Sequence, residues 1–281
     1  MKKIIRALIA SMIAALSIFS FTACSSNTIY VDTNAYFAPF EYYQGRKIVG
    51  VDIDIMNKVG EKLGKKVKFV NTDFDVIIDN VASGAKFDCG AAGITITDAR
   101  KEKVDFSNPY YTSVQYVIMK ATDVSIANQT ANDGVQCVYW SDLAGKKIGV
   151  QRDTTGHIYV NLEIEGEEAD DPADNYVGAI QDTNATCIAY DNAQLAVDAM
   201  NANRCDVVVV DELPAKFICN ANSQYVCYAL YYDADTATEE QYAICVTKGN
   251  TELLNAINEV LAELGEEGIL ALVATHLGLE D

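Results

Sequence analysis

Residues 88–111 read DCGAAGITITDARKEKVDFSNPYY. Small residues fill positions 90–93, which suits a buried strand over 87–94 that another backbone approaches closely. The following turn, through Thr97 and Asp98, carries helix-capping side chains and predicts a short helix with Arg100 in its first turn. Such a strand would deliver Thr95 and Arg100 to the mouth of a cleft. An Arg at a helix start is also an ordinary solvated residue, so the meaning of the segment depends on what surrounds it.

Outward from that stretch, strand-like runs alternate with helical ones. Runs at 29–32, 67–70 and 87–94 are interleaved with helical patterns at 53–63, begun near Asp52 or Asp54, and at 74–83. The second half repeats the alternation with 147–150, 192–201, 206–210 and 213–220, and a tail over 251–277 has helical spacing and stops near Gly278. This alternation argues for α/β layers, and about 255 residues after the leader suit two lobes better than one core. The run GEKLGKK at 60–66 lacks the last spacer residue and the Ser/Thr of a phosphate loop and reads as a helix end.

The amino terminus decides the compartment. Lys2, Lys3 and Arg6 precede an apolar run at 7–21 and the small-residue zone FTAC at 21–24, the pattern of a secretory signal. Cys24 stands as in a lipobox: cleavage before it leaves 1–23 as a signal peptide, 24–27 as a lipidated tether, and two acyl chains to hold the protein to the outer face of the cell membrane. A plain signal peptide or an uncleaved anchor would be the alternatives, although the run is short for a transmembrane span. Loss of the leader removes three of the 21 Lys+Arg and none of the 40 Asp+Glu, leaving a charge of −22. Such a surface repels nucleic acid and anionic lipid. Much of the excess lies in EIEGEEADDPAD at 163–174, read as a solvated loop, since its spacing does not fit a calcium loop. Seven cysteines remain, an odd number; Cys89, Cys205 and Cys245 sit in apolar runs as small hydrophobes, while Cys219 and Cys227 flank a polar turn and are the first pair to test for a disulfide.

Four further motifs stand in order around the opening stretch: AYFAPFEY at 35–42, VGVDIDI at 49–55, LAGKKIGVQRDTT at 143–155 and DVVVVDELPA at 206–215. Together the five resemble the amino-acid-binding branch of the bacterial extracellular solute-binding proteins, family 3, over nearly the whole chain after the leader. The resemblance implies a two-lobed, periplasmic-binding-protein-like (type II) α/β fold. Its two hinge strands would cross near 110–114 and 238–242, dividing the chain into a discontinuous first lobe (28–113 and 239–281) and a second lobe (114–238). Short parallel crossings permit the lobes to close over a ligand and open again.

A free amino acid offers a carboxylate, an ammonium and a side chain. The resemblance implies that Arg100 holds the carboxylate through its planar guanidinium, helped by the hydroxyl and N–H of Thr95 and by the N–H groups of Thr154 and Thr155 at a helix start. The Gly93 carbonyl and the Asp211 carboxylate would receive the ammonium. Phe37 and Phe74 would line the ligand side chain, with Asn34 and Gln151 as specificity residues, one from each lobe. Basic-ligand receptors of the family tend to have an acid where Asn34 stands, so a neutral polar ligand is expected. One departure is local: Asp153 occupies the position where the family usually has Gly before the Thr pair.

No catalytic residue, metal or cofactor is expected. The two histidines, His157 and His276, have no nucleophile motif such as G-x-S-x-G nearby. The resulting expectation is a monomeric lipoprotein that captures an L-amino acid outside the cell and passes it to the permease of an ABC importer. The competing readings are a prephenate or arogenate dehydratase-like enzyme on the same fold, which would need a general acid at the site, and an extracellular sensor domain.

Overall fold

The computed structural model describes residues 27–123, 126, 129–169 and 171–279. The expected signal peptide at 1–23, the lipidated Cys24 and tether positions 25–26 lie outside the described residues. The chain opens with β1 (Thr28–Thr33), β2 (Tyr36–Phe37), β3 (Glu41–Gln44), β4 (Lys47–Val49), α1 (Val51–Leu63), β5 (Lys66–Asn71), α2 (Ile77–Ser83), β6 (Cys89–Gly90), α3 (Asp98–Lys101) and β7 (Asp105–Phe106). It continues through β8 (Tyr111–Lys120), β9 (Gln129–Thr130), β10 (Gln136–Tyr139), β11 (Lys147–Gln151), α4 (Thr155–Glu165), β12 (Thr186–Tyr190), α5 (Ala193–Asn201), β13 (Val207–Asp211), α6 (Glu212–Ala221) and β14 (Tyr225–Tyr231). It returns by β15 (Glu239–Tyr242) and β16 (Cys245–Val246) to α7 (Thr251–Leu277).

Two large sheets result, one in the order β5-β1-β6-β16-β7 and the other in the order β12-β11-β13-β8-β14-β10-β9, with β2, β3 and β4 as a separate meander. Strand β13 shows why a run of valines builds this layer: all five residues, VVVVD, are buried, as in a parallel strand covered by helices on both faces. In α1 the buried Val51, Ile55, Met56 and Val59 recur at helical spacing.

The connection between the sheets is β8. Its first residues pair antiparallel with β15, from Tyr111 against Tyr242 to Val114 against Glu239. Its later residues pair with β13 and β14 inside the second sheet. The outgoing strand therefore continues without a break beyond the short crossing expected at 110–114.

Several local expectations change. The strand at 87–94 shrinks to Cys89–Gly90, because Gly93 adopts φ +54 and turns the chain away. Its N–H goes instead to Asp52 Oδ2 at 2.9 Å, and pairing resumes only where Thr95 bridges Tyr242. Helix α1 starts at Val51, two residues earlier than expected, with Gly50 as N-cap at φ 140. A Cβ at Gly50 would stand 2.0 Å from the Phe40 carbonyl oxygen, so only glycine fits. The acidic stretch 163–174 is not wholly solvated. Its first three residues end α4, and Glu163 is fully buried, accepting from Tyr176 Oη and from the Ala179 N–H at 2.6 Å. Cys89, Cys205 and Cys245 are buried as expected, while Cys219 and Cys227 come together as free thiols sharing a hydrogen bond.

Candidate functional site

The sheets bring their strand ends to one place. Asn34 directly follows β1, Gly93 follows β6, and Gln151 and Asp211 are the last residues of β11 and β13. Neighbours β1 and β6 are parallel, as are β11 and β13, and ligands of open α/β sheets bind beyond the carboxyl ends of such strands. A small cavity of about 10 Å³ lies there, lined by Asn34, Phe37, Phe74, Gly93, Thr95, Gln151, Thr154, Thr155 and Asp211. Nine of the ten residues named from sequence form this wall.

Arg100 is the tenth and does not line the cavity. It is 8% exposed, and its guanidinium donates from Nη1 to the Thr95 carbonyl at 2.8 Å and from Nη2 to the Asp153 carbonyl at 2.7 Å. The Phe74 ring lies 5.5 Å from its Cζ, a cation–π contact. Arg100 thus stands behind Thr95 and joins the loop after β6 to the loop after β11. Asp153 adopts φ 57, and the imidazole Nδ1 of His157 accepts its N–H at 3.1 Å. Aspartate tolerates the left-handed region better than most side chains, so the loop keeps the backbone shape that the glycine elsewhere in the family suggests.

Other direct bonds cross between the sheets. Gln151 Nε2 donates to Asn34 Oδ1 at 3.1 Å, and the Thr155 hydroxyl donates to Thr95 Oγ1 at 2.7 Å. Asn34 Nδ2 donates to the Thr72 carbonyl at 2.7 Å, so both ends of that amide are engaged. Gln151 Oε1, by contrast, is buried without a hydrogen-bond partner. Thr154 caps α4 by accepting the His157 N–H at 3.3 Å.

Sequence reasoning missed the layer directly behind this wall. Glu240 of β15 is 4% exposed and accepts the Thr95 hydroxyl on Oε2 at 2.6 Å. Gln115 of β8 donates through Nε2 to both Glu240 and Asp211, and Tyr242 Oη donates to Asp211. Burial pushes the Glu240 carboxyl up to about 8, and the charge of Asp211 adds to the shift. Asp211 is also raised by burial, against hydrogen bonds from Tyr242, Gln115 and Glu240 and the field of Arg100. A second buried acid lies under the Gly93 turn: burial lifts Asp52 to about 6, against hydrogen bonds from Tyr110 Oη and the Gly93 N–H. Burial, with the nearby Asp52 charge, raises its neighbour Glu41 well above the usual carboxylate range. The available signals were faint. Gln115 is the one amide in the run VQYVIM, and Glu239-Glu240 becomes informative only when the strand period decides which residue faces inward.

Residues 29–277 match the profile of the bacterial extracellular solute-binding proteins, family 3. The chain belongs to this family. It is 25% identical over 268 residues to the arginine-binding extracellular protein ArtP of Bacillus subtilis (strain 168), covering 92% of each chain. It is 29% identical to a probable histidine-binding protein of Campylobacter jejuni subsp. jejuni serotype O:2, covering 90% of this chain and 86% of the other. Among solved structures, an ancestral arginine-binding protein bound to glutamine superposes with a TM-score of 0.69 at 31% identity, over 90% of this chain and 98% of its own. The two-lobed, periplasmic-binding-protein-like fold of family 3 follows, and the chain is a solute-binding protein rather than an enzyme.

Proposed function

We propose that the protein captures a free L-amino acid with a neutral polar side chain in the cleft between its lobes and hands it to the permease of an ABC importer. The lobes are 28–113 with 239–281, and 114–238. The nine cavity residues are the contacts, with Arg100 behind them, and diacylglycerol on Cys24 keeps the monomer at the outer face of the membrane.

The observation that carries the ligand class is Gln151 Oε1, a buried acceptor without a partner in a wall whose only ionisable side chain is Asp211. Leaving such an acceptor unsatisfied costs ~1–3 kcal/mol, and a ligand side chain that donates a hydrogen bond relieves that cost. An amide such as that of glutamine fits the requirement. Asp211 supplies an anion for the ammonium, while Arg100, behind Thr95, supplies the opposite charge for the carboxylate. Relatives named for arginine and histidine and the related ancestral protein bound to glutamine support a free amino acid as the ligand, and the last of these ligands has a neutral amide side chain.

The test is a thermal-shift screen of the lipid-free protein against the twenty amino acids and cystine. At about 100 times its dissociation constant a ligand adds ~2.7 kcal/mol of stability, and amide side chains should give the largest shifts. A screen in which no amino acid moves the melting temperature would overturn the reading.

A further inference from the structure

Behind the cavity, one amide nitrogen serves two buried acids. Gln115 Nε2 donates to both Asp211 and Glu240, which are 5% and 4% exposed. The shared nitrogen brings the two carboxyl groups side by side. Two like charges this close in a desolvated site cannot both stay ionised without a compensating proton or cation. We propose that Asp211 and Glu240 form one acid pair that holds a shared proton, and that an arriving ligand ammonium displaces this proton, so that capture of an amino acid releases it to solvent. The proposal rests on the amino-acid reading above for the identity of the incoming cation.

The surroundings define what the pair meets. From α3 the Arg100 guanidinium offers the one positive charge, already bound to the Thr95 and Asp153 carbonyls. From β15 Tyr242 donates its hydroxyl to Asp211, and from α4 Tyr159 feels both acids; burial raises both phenols, so they remain neutral donors. The Thr155 hydroxyl donates to Thr95, whose hydroxyl donates to Glu240, which runs a hydrogen-bond chain from α4 to the returning hinge strand. Burial and the Asp211 charge set the upper titration of the pair at about 8, and the macroscopic value belongs to both acids together. Charges balance: the pair goes from one negative charge to two, the ligand brings one positive ammonium, and one proton leaves.

The sign of the pH dependence follows. Below about pH 8 the ligand competes with the shared proton, so its Kd should fall about tenfold for each unit of rising pH. Calorimetry with L-glutamine as titrant, in phosphate and in Tris, counts the protons released. About 0.9 proton per ligand is expected near pH 7 and about half of that near pH 8, below the range in which the ligand's own ammonium titrates. Glu240→Gln should release none and bind with an affinity independent of pH. Infrared difference spectra of the protein alone, between about pH 6.5 and about pH 9, should lose one more protonated carboxyl in the parent than in Glu240→Gln. If Glu240→Gln does not fold, Asp211→Asn should move the same carboxyl loss to lower pH by removing the neighbouring charge, and the contribution of Glu41 is common to parent and variants.

Release by the parent below about 0.2 proton near pH 7, or infrared spectra identical in parent and variants, would overturn the proposal. If L-glutamine gives no heat at any pH, the amino-acid reading is what fails, and the infrared comparison alone decides the acid pair.

Discussion

Asn34 was expected to meet the ligand side chain, yet both ends of its amide are bound to protein, Nδ2 to the Thr72 carbonyl and Oδ1 to Gln151. Its influence on specificity therefore passes partly through Gln151. Asn34→Asp replaces a donor to the Thr72 carbonyl by a second acceptor, a buried repulsion that a cationic ligand side chain would relieve. The ratio of arginine to glutamine affinity, measured by calorimetry at equal salt, should rise on a scale of ~1.5–3 kcal/mol. An unchanged ratio would remove Asn34 as a determinant. Asp153 adopts φ 57 in the turn that precedes Thr154 and Thr155.

Helix α7 is a departure of another kind. Its apolar spacing runs over 251–277 as one pattern, yet Gly265 interrupts it at φ 59 and ψ −177, a conformation essentially restricted to glycine. The two segments serve different ends of α1. Before the kink, Glu259 and Glu263 reach Lys62 at 2.9 and 2.8 Å; after it, His276 Nε2 reaches Asp54 at 2.9 Å and Nδ1 meets Tyr42 Oη at 3.3 Å. A Cβ at Gly265 would touch nothing, so the penalty of Gly265→Ala is one of backbone strain. Urea denaturation should show a loss of ~1–2 kcal/mol, with ligand affinity unchanged because the helix does not line the cavity. Equal stability would mean that α7 straightens and its ties to α1 adjust.

Across the whole molecule, buried acids set the response to pH. Burial raises Asp32, Glu41, Asp52, Asp211 and Glu240, with Asp52 near 6 and Glu240 near 8. Each keeps its proton in the folded chain to a higher pH than in the unfolded one, so the folded state binds more protons across that range. Stability must then fall as pH rises from about 4 to about 8. The melting temperature should be higher near pH 5 than near pH 8 at equal salt, and Glu240→Gln should flatten the upper part of the curve. A profile that rises over this range would mean that these acids are ionised and well paired in the fold. The same acids mark the limit of what could be read from sequence. The order of motifs, the valine run of β13, the residues at strand ends and the period of α7 follow from local chemistry and spacing, and they sufficed for the α/β layers, the family and the nine residues that line the cavity. The detour of Arg100 behind Thr95, the bonding of Asn34 to Thr72, the kink at Gly265 and the meeting of Asp211 with Glu240 bring together groups up to 234 residues apart in the chain, as between Tyr42 and His276. No local pattern encodes such contacts. The meeting of Asp211 with Glu240 arises when β15 returns beside β8, because only the closed sheet removes water from those side chains and makes their charges matter to one another.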